Sequence, residues 1–426
     1  MGRNADDADE PTRREYLKYG AVVGGGLLAG CSGGAGGDSG AGGGDTPATD
    51  TTAPADTPSE TATDTGRAGG TDAESATETP GESYSASISP TGTVSFEEPP
   101  ETVFTRLTHH ADMAFALGRG DTVTAMHAPD YYDGLWNQYV ERLPGVELDW
   151  TGLYSSWQPE KETLYELDSD IHLADPAWIG VQDAWDRADF EEVADNVSPW
   201  FGNSLSDRHQ QPQVEWVDDY EYYSLWEQFR LVADAFDERE RYEALAEVHR
   251  DLMTTIEADL PSEDERPTAV MIAAADIEEI YTYLVDEPGF LNAHVRPFGP
   301  RDAYEGSVEN NTVIDFEALL DADPEVILHL GGMEPGTDMV ARREAFRDDP
   351  VASQVSAVQN GRVYAQGARY QGPILNLFQL EMTAKQLYPE VFGEWPTYEA
   401  GAYPDLSEDE RLFDRQRVAD VINGAV

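Results

Sequence analysis

The chain has 426 residues, room for two or three domains, and its 40% hydrophobic and 10% aromatic content is enough for buried cores. It carries 83 acidic against 27 basic residues, a net charge of −56, and without a basic face it is excluded as a nucleic-acid binder. The single cysteine excludes an internal disulfide, and no run of roughly 18 or more apolar residues offers an ordinary membrane span.

Taken in chain order, the first motif is an address. Arg13 and Arg14 precede a short, weakly apolar run that ends at Gly30. This resembles a twin-arginine (Tat) export signal. Leu28-Ala29-Gly30-Cys31 resembles a lipobox. That resemblance implies removal of residues 1–30, attachment of a lipid to Cys31, and a place on the outer face of the cell membrane. Residues 31–92 are mostly Gly, Ser, Thr, Ala, Pro and Asp with few large apolar side chains, so they are expected to form a disordered acidic tether. Some 60 residues of such chain reach on the order of 45 Å.

A first lobe is expected over 93–222. Strand-like runs at 103–107, 123–126 and 171–174 alternate with helix-like runs at 112–117, 159–167 and 183–193. Alternation of this kind implies parallel strands with crossover helices, and ligands then bind beyond the carboxyl ends of the strands. The loops expected at those ends hold His109 and His110, His127 with Asp130 and Tyr131, Trp157, and Trp178. Imidazoles and aromatic rings on loops at one end of a sheet suit a large, partly flat ligand.

Residues 223–264 read as a helical connector. Within it the spacing predicts one helix over 237–260, with Leu245, Val248, Leu252 and Ile256 on one face. Asp237 and Glu240 have the spacing of a capping box, and Pro261 ends the run. A helix of that length spans about 35 Å, the width of a small domain. It lacks Pro and Gly and is therefore a poor hinge, so small lobe movements are expected.

A second lobe is expected over 265–400. Strands are predicted at 268–273, 326–330 and 361–365, and helices at 316–320, 339–346 and 373–387. Arg369, Tyr370 and Gln371 precede the last of these. Residues 401–426 are expected to form a C-terminal helix that packs back on the body, opening with Ser407 and Glu410 as a capping box. Glu162-Thr163-Leu164 leading to Asp170-Ile171 is echoed by Glu317-Ala318-Leu319 leading to Glu325-Val326. Each copy reads as helix, tight turn, buried strand.

These phrases, with residues 112–118 (DMAFALG), Gly361-Arg362-Val363-Tyr364 and residues 387–392, together resemble the ABC-importer substrate-binding proteins for iron–siderophores and cobalamin, over about residues 93–395. The spread-out acidity resembles that of proteins from salt-loving archaea. The resemblance implies an α/β fold: two similar lobes joined by one long rigid helix, with a ligand cleft between them. It implies a lipid-anchored monomer that delivers its ligand to an ABC permease and its ATPase. It also implies that Glu162 and Glu317, each eight residues ahead of the acid before a buried strand, dock into arginine pockets of the permease. The leading expectation is an iron(III)–siderophore-type chelate, with no resident cofactor. Trp and Tyr faces would pack against it, and Arg296, Arg301 or Arg369 would pair its anionic oxygens. Cobalamin or haem, direct binding of zinc or iron by His109, His110 and His127 with a tyrosine, and a sensor role are the alternatives. No nucleophile elbow, phosphate loop or HExxH motif appears, so no enzyme is expected.

Overall fold

The computed structural model describes residues 83–157, 159–182, 185–274 and 279–426. The export motif, Cys31 and the tether up to residue 82 lie outside the described residues, as do residues 158, 183–184 and 275–278. The described part begins earlier than expected, with an antiparallel hairpin of β1 (Tyr84–Ile88) and β2 (Gly92–Phe96). Ala86, Ile88 and Phe96 are buried, and Tyr84 stacks on Phe96 at 5.3 Å. The tether expected over 31–92 therefore stops before residue 84. Alternation in this strand rests on small side chains, which is why composition alone reads it as tether.

The first lobe runs through β3 (Val103–Thr105), α1 (Thr108–Ala116), β4 (Val123–Met126), α2 (Pro129–Val140), β5 (Tyr154–Ser155), α3 (Lys161–Leu167), β6 (Ile171–Leu173), α4 (Pro176–Gln182) and α5 (Arg187–Asn196). Its four strands are all parallel, in the order β5-β4-β3-β6. Val103, Phe104 and Thr105 are buried on both faces, as a sheet covered by crossover helices requires. Helix α5 starts later than expected because Asp186 and Asp189 form its capping box.

Helix α6 (Leu225–Ala235) then leads into α7 (Arg239–Asp259), the predicted long connector. Leu245, Val248, Leu252 and Ile256 form its buried stripe. The expected cap does not form. Asp237 sits in the left-handed region at φ 54, where the chain turns out of α6, and Glu238 instead pairs with Arg119 at 2.8 Å and Arg241 at 3.0 Å.

The second lobe runs through β7 (Thr268–Ala274), β8 (Ile280–Tyr283), β9 (Arg301–Asp302), β10 (Thr312–Ile314), α8 (Phe316–Ala322), β11 (Val326–His329), α9 (Met339–Asp348), α10 (Ser356–Gln359), β12 (Val363–Ala365), α11 (Pro373–Leu387) and α12 (Pro389–Phe392). Its sheet is mixed where parallel pairing alone was expected: β7, β9, β11 and β12 pair in parallel, while β8 runs antiparallel to both of its neighbours, β7 and β10. The short return from β7 to β8 leaves no room for a crossover helix.

The echoed segments fold alike. Helices α3 and α8 end on aspartates in the left-handed region, Asp168 at φ 45 and Asp323 at φ 40. Two residues on, Asp170 accepts the Thr102 amide at 2.8 Å and Glu325 accepts the Thr268 amide at 2.8 Å. Each acid fastens its strand to the neighbouring one, so both lobes repeat one unit.

The C-terminal segment folds in two pieces where one helix was expected. The Ser407–Glu410 box closes a single tight turn, and α13 (Arg415–Ile422) has its own cap, Asp414. Arg415 and Glu381 bind at 2.7 Å with almost no exposure. Glu381 also accepts from the Tyr403 hydroxyl at 2.8 Å and the Leu412 amide at 2.6 Å. This buried cluster holds the C-terminal segment against α11.

Candidate binding cleft

The carboxyl ends of β3 to β6 face one way, and the residues that follow them converge. Arg106, after β3, lies between the rings of Trp157 and Trp178, 5.0 and 5.1 Å from their centroids. It also donates to the Trp157 carbonyl. His127, after β4, lies 4.3 Å from Trp157 and 5.4 Å from Tyr132, and Tyr131 packs edge-on against Tyr132 at 5.1 Å. The second lobe closes on this set. Tyr370, after β12, is 6.4 Å from Trp178 and 6.2 Å from His109, and Phe290 is 4.9 Å from His109. Thr108 donates to the Tyr370 carbonyl at 2.8 Å across the lobes. His109, His127, Tyr131, Trp157, Trp178 and Tyr370 thus share one interlobe cluster. Each guanidinium–indole contact is worth about 0.5–2 kcal/mol, so Arg106 is held as firmly as the rings.

Three of the expected loops are helical instead. His109 and His110 lie in the first turn of α1, Asp130 and Tyr131 in the first turn of α2, and Trp178 within α4. The crossover helices start immediately at the strand ends, so the side chains are placed by helix termini. His109 and His110 are fully buried, with ring centroids 3.9 Å apart. Burial drives both downward, His110 to about 3, so they are neutral and suit a helix N-terminus. His110 packs against Gly202: its Cε1 would lie 2.8 Å from a Cβ placed there. Among the described residues no group of three His, Cys, Asp or Glu could hold a metal ion, so the direct-metal alternative has no ligand set there.

The charged centre of the cleft was only half legible. Arg369 is buried and donates from Nε at 3.1 Å, and from Nη2, to one oxygen of Asp207. Burial opposes its charge, but Asp207 more than offsets this and holds the guanidinium's pKa above its usual range. The Arg369 guanidinium also lies 4.7 Å above the Tyr370 ring, and burial pushes that phenol up to about 12. Arg208 brings Nε to 3.9 Å from the same Asp207 oxygen, with its side chain only 7% exposed. That Nε has no hydrogen-bond partner. Sequence reasoning missed Asp207 and Arg208, which follow a stretch without clear periodicity. The available signal was an arginine beside an acid in a chain poor in bases.

Asp207 is fixed by its backbone. Its carbonyl accepts from Leu291 at 3.0 Å, and that of Ser206 accepts from Phe290 at 3.2 Å. Gly289, at φ 108, permits the close approach, because a Cβ there would lie 2.1 Å from the Asp207 oxygen. Arg296, expected to meet the ligand, instead donates to the carbonyls of Glu287 and Gly289, both at 2.9 Å, and so clips this same loop. Arg301 lies at the opposite end of the sheet, beside Thr268, where it donates to the Arg266 carbonyl at 3.0 Å.

A second interlobe bond crosses from α1. Asp112, fully buried, accepts the Leu375 amide at 3.1 Å and so caps α11 from the other lobe. Burial outweighs the amide donors and raises its pKa from 3.8 to about 7. The folded chain therefore holds this proton more tightly than the unfolded one. The resulting stability is fully present below about pH 4 and is lost as pH rises through 7. We expect the wild type to lose about 4 kcal/mol across that window relative to Asp112→Asn, which keeps an acceptor but cannot ionise. Chemical denaturation of both proteins from pH 4 to 8 measures the difference; parallel curves would refute the assignment.

Glu162 and Glu317, expected to dock with a permease, are exposed in the first turns of α3 and α8, at matching places on the repeated unit.

Residues 108–370 match the family model described as periplasmic binding protein. No curated protein matches the chain. Among solved structures, a periplasmic solute binding protein from Veillonella parvula is similar at a TM-score of 0.52 and 13% identity, covering 80% of this chain and 99% of its own. The petrobactin-binding protein YclQ from Bacillus subtilis is similar at a TM-score of 0.50 and 14% identity, covering 73% of this chain and 99% of its own. At these identities the likeness is one of fold.

Proposed function

The chain belongs to the periplasmic binding protein family, and on that premise we propose that it captures an iron(III)–siderophore-type chelate between its lobes and delivers it to the permease of an ABC importer. The observation that carries this reading is the interlobe cluster, where indole and phenol rings stand beside guanidinium groups drawn from both lobes. Rings pack against the organic shell of a chelate, and guanidinium groups pair with its oxygens. The petrobactin-binding fold neighbour supports a ligand of this kind. In this reading Cys31 carries the lipid that keeps a monomer at the outer membrane face after twin-arginine export, and Glu162 and Glu317 meet the permease.

A thermal-shift screen with ferric hydroxamates, ferric catecholates, haem and cobalamin tests the ligand. A chelate at 100-fold its Kd should add about 2.7 kcal/mol of stability. A shift with cobalamin or haem and none with any iron chelate would overturn the reading.

A further inference from the structure

The charge balance beside Tyr370 narrows the ligand class. Resting on the chelate reading above, we propose that the ligand is an iron(III) complex of low net charge that sets one anionic group against Arg208, and not a triply negative tris-catecholate. Three charged groups meet there: Arg369, Arg208 and Asp207. Asp207 takes up Arg369, since Nε and Nη2 both donate to its Oδ2. Its side chain has no exposure, so water does not dissipate the charge. It cannot swing aside, because the Phe290 and Leu291 amides hold its backbone and that of Ser206, and Gly289 presses on its carbonyl. The chain thus carries its own anion in the place a second ligand charge would take.

The remainder beside Tyr370 is one positive charge, on Arg208. Its side chain is more than nine-tenths buried, its nearest acid oxygen is already bound by Arg369, and its Nε has no hydrogen-bond partner. A buried cation in that state favours one anionic group on whatever enters. Arg106, clamped between two indoles and donating to the Trp157 carbonyl, is a second buried cation on the first-lobe side, so the cleft as a whole matches at most two ligand charges. The nearby Tyr370 is a buried phenol whose ionisation is pushed upward, so it offers a neutral donor, while Tyr283 already donates to Asn311 Oδ1 at 3.0 Å. A triply negative complex would still bring one charge more than Arg106 and Arg208 match into a cleft within a chain of net charge −56.

The test uses the full chain and three probes. Two are the iron(III) complexes of desferrioxamine B with its terminal amine acetylated, which is neutral, or succinylated, which carries one carboxylate. The third is the ferric tris-catecholate of enterobactin. Affinities are read from quenching of tryptophan fluorescence at fixed ionic strength. We expect the succinylated chelate to bind about tenfold more tightly than the acetylated one, as one charge-assisted pair allows, and the tris-catecholate to bind most weakly. Arg208→Gln should bring the two hydroxamates to the same affinity. Asp207→Asn should strengthen the tris-catecholate by about tenfold, the effect of removing one like charge. Should that variant fail to fold, Arg208→Gln and the wild-type ranking still decide the matter. Tightest binding of the tris-catecholate, or an unchanged succinyl-to-acetyl ratio in Arg208→Gln, would overturn the inference while leaving the chelate reading intact. Binding of none of the three would overturn both.

Discussion

Glu381→Ala is expected to destabilise the protein by about 3–5 kcal/mol, the usual cost of stranding one partner of a buried ion pair. Glu381 has no exposure and satisfies three donors at once: Arg415, the Tyr403 hydroxyl and the Leu412 amide. Arg415 is equally buried, among Phe378, Tyr403 and Phe413 at 5.3, 5.3 and 5.8 Å. Its Nε and Nη1 have no other partner, so losing the carboxylate leaves a cation without a counter-ion in an aromatic pocket. Urea denaturation of the variant measures the loss. The double variant Glu381→Leu with Arg415→Met should recover much of it, because a shape-filling apolar pair avoids the stranded charge. A loss under about 1 kcal/mol would show that the cluster does not hold the C-terminal segment.

The second large effect concerns delivery. Glu162→Arg combined with Glu317→Arg should abolish chelate uptake by cells while leaving the affinity of the purified protein unchanged. Both residues are exposed in the first turns of short helices, and reversing their charge costs the fold only about 0.3–1 kcal/mol each through the helix dipole. Toward a basic pocket the same reversals replace two attractions by two repulsions, which suppresses docking of the wrong charge. Normal uptake by the double variant would remove the docking assignment.

Much of the scaffold was legible because it rests on local patterns. The apolar stripe of α7 repeats at helical spacing, and β4 and α11 begin and end where their periodicity does. The two fastening acids, Asp170 and Glu325, follow the same helix-and-turn phrase and fold the same way. Boundaries decided by the start or end of a neighbour were not legible. Asp237 has the composition of a cap, yet the exit from α6 claims it. The site was legible as a set of ring-bearing residues and illegible as a circuit of charge. Arg369 was expected to wait for a ligand, but it meets Asp207 from 162 residues away, and no local pattern carries that separation. Asp112 reads as one polar position on an apolar helix; its partner is the start of α11, in the other lobe. Arg296 shows the converse, since an arginine near an aromatic loop is equally suited to clipping that loop's carbonyls.

In the proposed complex an iron chelate lies between the lobes against the cluster of Trp157, Trp178 and Tyr370. Anomalous scattering at the iron edge, from crystals of the full chain grown with a ferric trihydroxamate, tests it most directly. One iron peak is expected in the cleft, flanked by those rings and within reach of Arg208. Crystals saturated with the chelate that show no iron there, or iron only on the acidic outer surface, would contradict it.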